Sequence, residues 1–111
     1  MTVEVLKAYG ADTEEGLKRC MGNEAMYLKL VAMIPNEKNF EKLEAALEVG
    51  DLDTAFEAAH ALKGVLGNLS ITPIYDKIVE ITELLRSRTQ MDYTPLLSEI
   101  LSKKEELSSL L

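Results

Sequence analysis

The sequence predicts an all-α fold, and three observations carry that prediction. Apolar residues recur every three to four positions through most of the chain, and no stretch of four or more residues alternates as a half-buried strand does. Capping residues, glycines and prolines fall at intervals that bound helices of ordinary length. Aromatic residues are few (4 Tyr, 2 Phe, no Trp) while aliphatic ones dominate, a composition suited to helix-on-helix packing. At 111 residues the chain has room for one hydrophobic core and is read as a single domain, 1–111.

The elements follow in order. In "ADTEEG", Asp12 or Thr13 offers an N-cap, and Glu14 and Glu15 stand in the first turn, where the helix dipole favours acids. Gly22-Asn23 ends that short helix and caps the next, and "IPN" at 34–36 interrupts again. Gly50-Asp51 reads as a C′ glycine followed by an N-cap. Thr72-Pro73 and Thr94-Pro95 each place a capping hydroxyl before a proline at the first helical position. These signals predict helices over 13–21, 23–34, 36–49, 51–69, 73–88 and 94–110. Each longer one carries an apolar stripe: Tyr27, Leu30, Val31 and Ile34; Phe40, Leu43 and Leu47; Ile74, Ile78, Ile81 and Leu85; Leu97, Ile100, Leu101 and Leu107. Short loops between amphipathic helices imply antiparallel neighbours. The expected architecture is therefore an antiparallel up-and-down four-helix bundle with short additional N-terminal helices, its long elements covering 23–49, 51–69, 73–88 and 94–110.

The charge narrows the function classes. The net charge is −7, with −3 in residues 1–50 and −4 in the remainder. No basic cluster is present to neutralise phosphates, which argues against a nucleic-acid partner. The apolar runs are too short to span a bilayer, and "MTVEVLKAYG" does not resemble a signal peptide. A single cysteine, Cys20, excludes an internal disulfide framework and fits a reducing compartment, so a soluble cytoplasmic protein is expected.

Residues 59–70, "AHALKGVLGNLS", hold the only histidine and two glycines in the interior of an otherwise good helix. Glycine costs a helix interior about 1 kcal/mol relative to alanine, so helix stability does not account for them. The apolar positions of this helix are Leu52, Ala55, Ala59, Leu62, Leu66 and Leu69, and their mean direction points away from His60. His60 is thus expected to face solvent, on a side shared with Asp53, Phe56, Glu57, Lys63, Gly64 and Gly67. Gly64 lies one turn beyond His60 and Gly67 two turns, which clears the surface for close approach by another macromolecule. Lys63, at i+3, offers an ammonium to a negatively charged group carried on the imidazole. An unperturbed histidine titrates near ~6.5, so a ring nitrogen is nucleophilic near neutral pH.

These residues resemble the signature of histidine-containing phosphotransfer (HPt) domains, H-x-x-K-G followed by a small residue and a short apolar tail. The stretches "LKAYGADTEEGLKRCMGNEAMYLKLV" and "ALEVGDLDTAFEAAHALKG" are also similar to that family, so the likeness spans most of the chain. The resemblance implies that His60 is the phosphorylated residue and Lys63 the cation that stabilises the phosphoryl group. Gly64 and Gly67 would give docking clearance, with Phe56 and Glu57 on the docking surface. It further implies a phosphorelay between receiver-domain aspartates of two-component systems. The expected partners are response-regulator receivers and a hybrid sensor histidine kinase, with the carrier itself a monomer. Mg²⁺ would belong to the receiver, and this chain would need no cofactor of its own. Ser70 departs from the pattern, standing where many members carry a small glycine after the leucine.

No glycine-rich nucleotide loop of either common kind occurs, so a phosphoryl carrier without kinase activity is expected rather than an enzyme. Glu57 and His60 form E-x-x-H, half of a di-iron carboxylate site, but the chain has no second histidine for the other half. One cysteine and one histidine do not make a zinc site. The remaining alternative is an adaptor bundle that binds receiver or kinase partners without phosphotransfer.

Overall fold

Side-chain caps set most helix starts, and left-handed residues set most helix ends. The computed structural model describes residues 1–111, and every regular element is helical. In order these are α1 (Val3–Tyr9), α2 (Thr13–Arg19), α3 (Glu24–Ala32), a 3-10 turn (Ile34–Asn36), α4 (Lys38–Glu48), α5 (Leu52–Asn68), α6 (Thr72–Arg86) and α7 (Thr94–Ser109). Asp12, Asn23 and Asp51 cap α2, α3 and α5, accepting the backbone N–H of Glu15 at 3.2 Å, of Met26 at 3.0 Å and of Thr54 at 3.1 Å. The Thr54 hydroxyl also donates to Asp51 at 2.7 Å, and these bonds hold the Asp51 carboxyl below its usual range.

Two features differ from the sequence reading. Helix α1 was not expected; Thr2 caps it and Gly10 ends it at φ +119°, but seven residues with one buried side chain, Leu6, carry no readable period. Its anchor is distant in sequence, since the Tyr9 hydroxyl donates to the Lys103 carbonyl of α7 at 2.7 Å. Thr72 and Thr94 lie inside their helices as first residues and cap nothing with their hydroxyls; Asp92 instead accepts the Thr94 N–H at 2.9 Å. The break expected at "IPN" is present: α3 and α4 are separate helices on either side of the 3-10 turn, because Pro35 brings no N–H to continue the ladder.

Helix α5 is the centre of the packing: α4 and α6 lie against it, α7 packs on α6, and α7 also meets the 3-10 turn. Its inner face, Ala55, Ala58, Ala59, Leu62 and Leu66, is fully buried. Alanine at three of these positions lets α4 and α6 approach the helix closely, while Leu62 and Leu66 fill the space among Phe40, Leu43, Ile74, Ile78 and Ile81 of the same core. Burying each such leucine or isoleucine contributes roughly 1.5–3 kcal/mol. Of the expected stripes, Leu30 is 38% exposed, and in α7 Leu96 rather than Leu97 is the buried residue. No helix is long and apolar enough to cross a membrane.

Five helices end in the same way. In α1 the cap itself, and in α2, α4, α5 and α6 the residue after the cap, is left-handed, and the next N–H returns to a carbonyl five residues earlier: Ala11 to Leu6, Gly22 to Leu17, Asp51 to Ala46, Ile71 to Leu66 and Thr89 to Leu84. The left-handed residue is Gly10 or Gly50 in two cases, but Met21, Ser70 and Arg88 in the others, with φ of +57°, +55° and +52°.

Candidate functional site

His60 stands at the midpoint of α5, exposed, on the side opposite the buried alanine and leucine face. The core thus fixes the helix, and the helix presents the imidazole outward. The neighbours of the ring differ along the helix axis. One turn toward the N-terminus the half-buried Phe56 stacks on it, with ring centroids 5.7 Å apart and planes inclined by 27°. The guanidinium carbons of Arg86 and Arg88 each lie 5.1 Å from the Phe56 centroid, within cation–π range. Arg88 Nε also donates to Asp53 at 2.6 Å, and Arg88 Nη1 to the Leu85 carbonyl at 2.6 Å. Glu57 is exposed and pairs with Lys42 of α4 at 3.7 Å.

Toward the C-terminus the surface opens. Lys63 is half-buried and forms no ion pair, unlike Arg19, Arg86 and Arg88. Gly64 is exposed, and a Cβ placed there would meet nothing within 4 Å. Gly67 is different. A Cβ there would come within 3.0 Å of the Tyr75 ring of α6, so its missing side chain has an intramolecular use, the seating of Tyr75. The clearance read from two glycines is open surface at Gly64 and helix packing at Gly67.

An open groove of about 550 Å³ lies along this side, lined by His60, Lys63 and Gly64 of α5, Arg19 of α2, and Tyr75 and Asp76 of α6. Charged side chains stand around it, Arg19 and Lys63 with Asp12 and Asp76, which suits a charged group. The C-terminal end of α5 is pinned from the core by Tyr27, whose buried hydroxyl donates to the Leu69 carbonyl at 2.9 Å. Burial pushes that phenol up to about 12. No group of three or more His, Cys, Asp and Glu side chains is arranged to hold a metal ion.

The family comparison decides what kind of domain this is, for the family model described as the Hpt domain matches residues 35–110. The chain belongs to the Hpt domain family. Comparisons with curated proteins and with solved structures give no match. The matched residues of this Hpt domain run from the 3-10 turn through α7, and so contain His60 and the whole of α5, while α1, α2 and α3 lie outside them. Hpt domains are helical bundles that serve histidine phosphotransfer in two-component phosphorelays, meeting receiver domains and kinases and acting as phosphocarriers rather than as kinases.

Sequence reasoning singled out His60, Lys63, Phe56, Glu57, Gly64 and Gly67, and these share one face of α5. It missed Arg86, Arg88, Tyr75 and Arg19, which reach that face from other helices. No spacing within α5 announces them. The one available signal was Arg88 itself, a bulky residue three positions beyond Leu85, the end of an apolar stripe, where a helix-ending glycine is usual.

Proposed function

We propose that His60 is the residue that carries the phosphoryl group, and that the chain relays it between receiver-domain aspartates. The observation that carries this reading is an exposed imidazole at the midpoint of α5 with an unpaired Lys63 beside it and open surface over Gly64. In the loading step a receiver bearing phosphoaspartate docks over α5. One ring nitrogen of neutral His60 keeps its proton, and the other, with its lone pair, attacks phosphorus in line. The N–P bond forms as the P–O bond to the aspartyl carboxylate breaks, and the carboxylate leaves with the electron pair. The phosphoimidazole then gives its phosphoryl group to a second receiver aspartate by the reverse chemistry.

Catalysis of this kind rests on positioning and charge stabilisation. Lys63 supplies a cation from this chain, and Mg²⁺ on the receiver supplies the rest. Phe56, Glu57, Gly64 and Gly67 lie on the docking face, Gly64 as the closest approach. The four long helices α4 to α7 form the antiparallel up-and-down scaffold in this reading, supported by their short connections and by the packing of α4 and α6 on α5. The carrier acts as a cytoplasmic monomer between a hybrid sensor kinase and response regulators, a setting in keeping with its single unpaired cysteine.

The test is transfer from a phosphorylated receiver domain. Wild type is expected to acquire an acid-labile phosphoryl group and His60→Gln none, with melting temperatures equal within the effect of an exposed polar change, about 0.5 kcal/mol. Label retained by His60→Gln would mean a different nucleophile. Receiver binding by wild type with no transfer from any receiver would assign the chain to the adaptor class.

A further inference from the structure

We propose that Phe56 is a positioning residue for His60, and that Arg88 is held in a strained backbone conformation in order to fix Phe56. The proposal rests on the reading of His60 as phosphoryl acceptor and adds what orients its ring.

The starting observation is Arg88. Its φ of +52° lies in the left-handed region, which disfavours residues with a Cβ and which the ends of α1 and α4 fill with glycine. A glycine would end α6 equally well, so the arginine side chain is what the position retains. That side chain is tied at both ends of its reach. Nη1 donates to the Leu85 carbonyl, Nε donates to Asp53 of α5, and the guanidinium lies 5.1 Å from the centre of the Phe56 ring. Arg86 reaches the same ring at the same distance and is itself paired with Glu83 at 3.3 Å. Phe56 is thus gripped by two guanidiniums, each fixed by a carboxylate.

The imidazole is the next contact in the chain of neighbours. The 5.7 Å separation and 27° inclination of the Phe56 and His60 rings fall in the range of attractive aromatic pairs. An exposed side chain without such a neighbour changes rotamer on the ps–ns timescale, and its nitrogens then point in many directions. In-line attack needs one nitrogen aimed at phosphorus with near-attack geometry. Stacking on a fixed phenyl ring restricts the imidazole plane before the receiver arrives. Because both arginines already have carboxylate partners, their role is to hold the ring and not to offer free charge to an incoming partner.

Phe56→Ala, Phe56→Trp, Arg88→Gly and wild type separate positioning from docking and from folding. Two readouts are needed: transfer from phosphorylated receiver as a function of receiver concentration, and the ring-proton resonances of His60 by NMR. For Phe56→Ala we expect the rate at saturating receiver to fall about tenfold with KM nearly unchanged, and the His60 ring protons to lose the ring-current displacement that stacking gives. Phe56→Trp, which retains an aromatic face, should restore most of both. Arg88→Gly keeps the helix end in an unstrained residue, so it should fold as wild type does, yet shift the His60 resonances part of the way toward those of Phe56→Ala and slow transfer. A rise in KM alone would make Phe56 a docking residue and overturn the proposal. So would unchanged His60 resonances and rate in Phe56→Ala. If wild type accepts no phosphoryl group while its His60 resonances show the stack, the acceptor reading is what fails, and the positioning role falls with it.

Discussion

Toward the N-terminus of α5 the neighbours of His60 are a half-buried ring and two paired guanidiniums; toward the C-terminus they are an unpaired lysine and bare backbone. The first side is filled and cross-braced from α6 and the turn that follows it. The second is open as far as Gly64 and then closes again where Tyr75 covers Gly67. One histidine therefore borders both a fixed surface and a free one, an arrangement that suits a group which must be oriented by its own chain and reached by another. The two sides also arise differently from the sequence. The open side is contiguous in sequence, within "HALKG", whereas the braced side exists only once α6 lies beside α5.

Beyond His60 itself, the largest effect is expected at Lys63, the one cation on the open side of α5 with no partner. Removing one charge-assisted contact to the phosphoryl group, worth about 1.5–3 kcal/mol, should slow transfer by Lys63→Ala about tenfold or more. Lys63→Glu should be slower still, because it adds repulsion. Both variants should keep the wild-type melting temperature. Transfer rates measured side by side check this, and equal rates in all three proteins would make Lys63 an ordinary surface lysine.

A pH change tests how firmly the open side is anchored. Tyr27 is buried, its hydroxyl bonded to the Leu69 carbonyl at the end of α5, and its phenol is pushed up to about 12 by that burial. A raised pKa means that the stabilisation is fully present below the unfolded-state value near 10 and is lost as pH rises through the folded one. Stability measured by denaturant titration should therefore be flat across neutral pH and decline from about pH 10 upward. In Tyr27→Phe the decline should shrink, since no phenol is left to ionise there, at a cost of about 1 kcal/mol at neutral pH for the lost hydrogen bond. An unchanged alkaline decline in Tyr27→Phe would place its source in Tyr9 or Tyr93, whose phenols burial also raises.

Much of the fold was legible, because long helices bounded by Asp51, Gly50 and the Thr-Pro pairs repeat their apolar stripe several times, and a repeated stripe survives a boundary error of a residue or two. Helix α1 was not legible for the same reason in reverse: seven residues contain one core position, Leu6, and its stabilising partner Lys103 is 94 residues away. The face of His60 was readable from the burial pattern of its own helix. The cause of Gly67 was not, since a glycine beneath a tyrosine from another helix looks the same in sequence as a glycine facing solvent. Arg86 and Arg88 were hidden in the same way. Their role depends on a crossing between α5 and α6 that sets Phe56 against the end of α6.

The two glycines separate when both are replaced. Gly64→Ala should stabilise the helix by about 0.5–1 kcal/mol, because nothing opposes the added methyl group. At Gly67 the same gain in helix propensity is offset by the Tyr75 ring 3.0 Å from the new Cβ, so the net change should be near zero or unfavourable. Larger residues widen the gap: Gly64→Gln should fold normally but weaken receiver docking, while Gly67→Gln should melt earlier. Thermal unfolding and receiver titration on the same four variants check both halves. If Gly64→Gln gains stability and keeps full transfer, the open surface is not an approach route.

The smallest effect should come from the end of α5, at the residue that departs from the family pattern. Ser70 has φ +55° and closes α5 with its N–H on the Gly67 carbonyl and the following Ile71 N–H on Leu66. Its hydroxyl makes no hydrogen bond within the chain, and the bonds it does accept, from the Asp12 N–H at 3.0 Å and the Thr72 hydroxyl at 3.4 Å, go to its backbone carbonyl. A glycine would keep all of these and remove the Cβ from a left-handed residue, a strain of roughly 1–2 kcal/mol, part of which is given back as the greater freedom of glycine in the unfolded chain. Ser70→Gly should therefore gain up to about 1 kcal/mol, a rise of about 4 °C in melting temperature for a domain of this size, with the transfer rate unchanged. Arg88→Gly relieves the same strain but gives up the bonds to Asp53 and Leu85 and the grip on Phe56, so its gain should be smaller than that of Ser70→Gly. Calorimetry on the two variants compares them directly. Equal gains would mean that the Arg88 contacts add nothing to stability, leaving the orientation of His60 as the only reason to keep an arginine there.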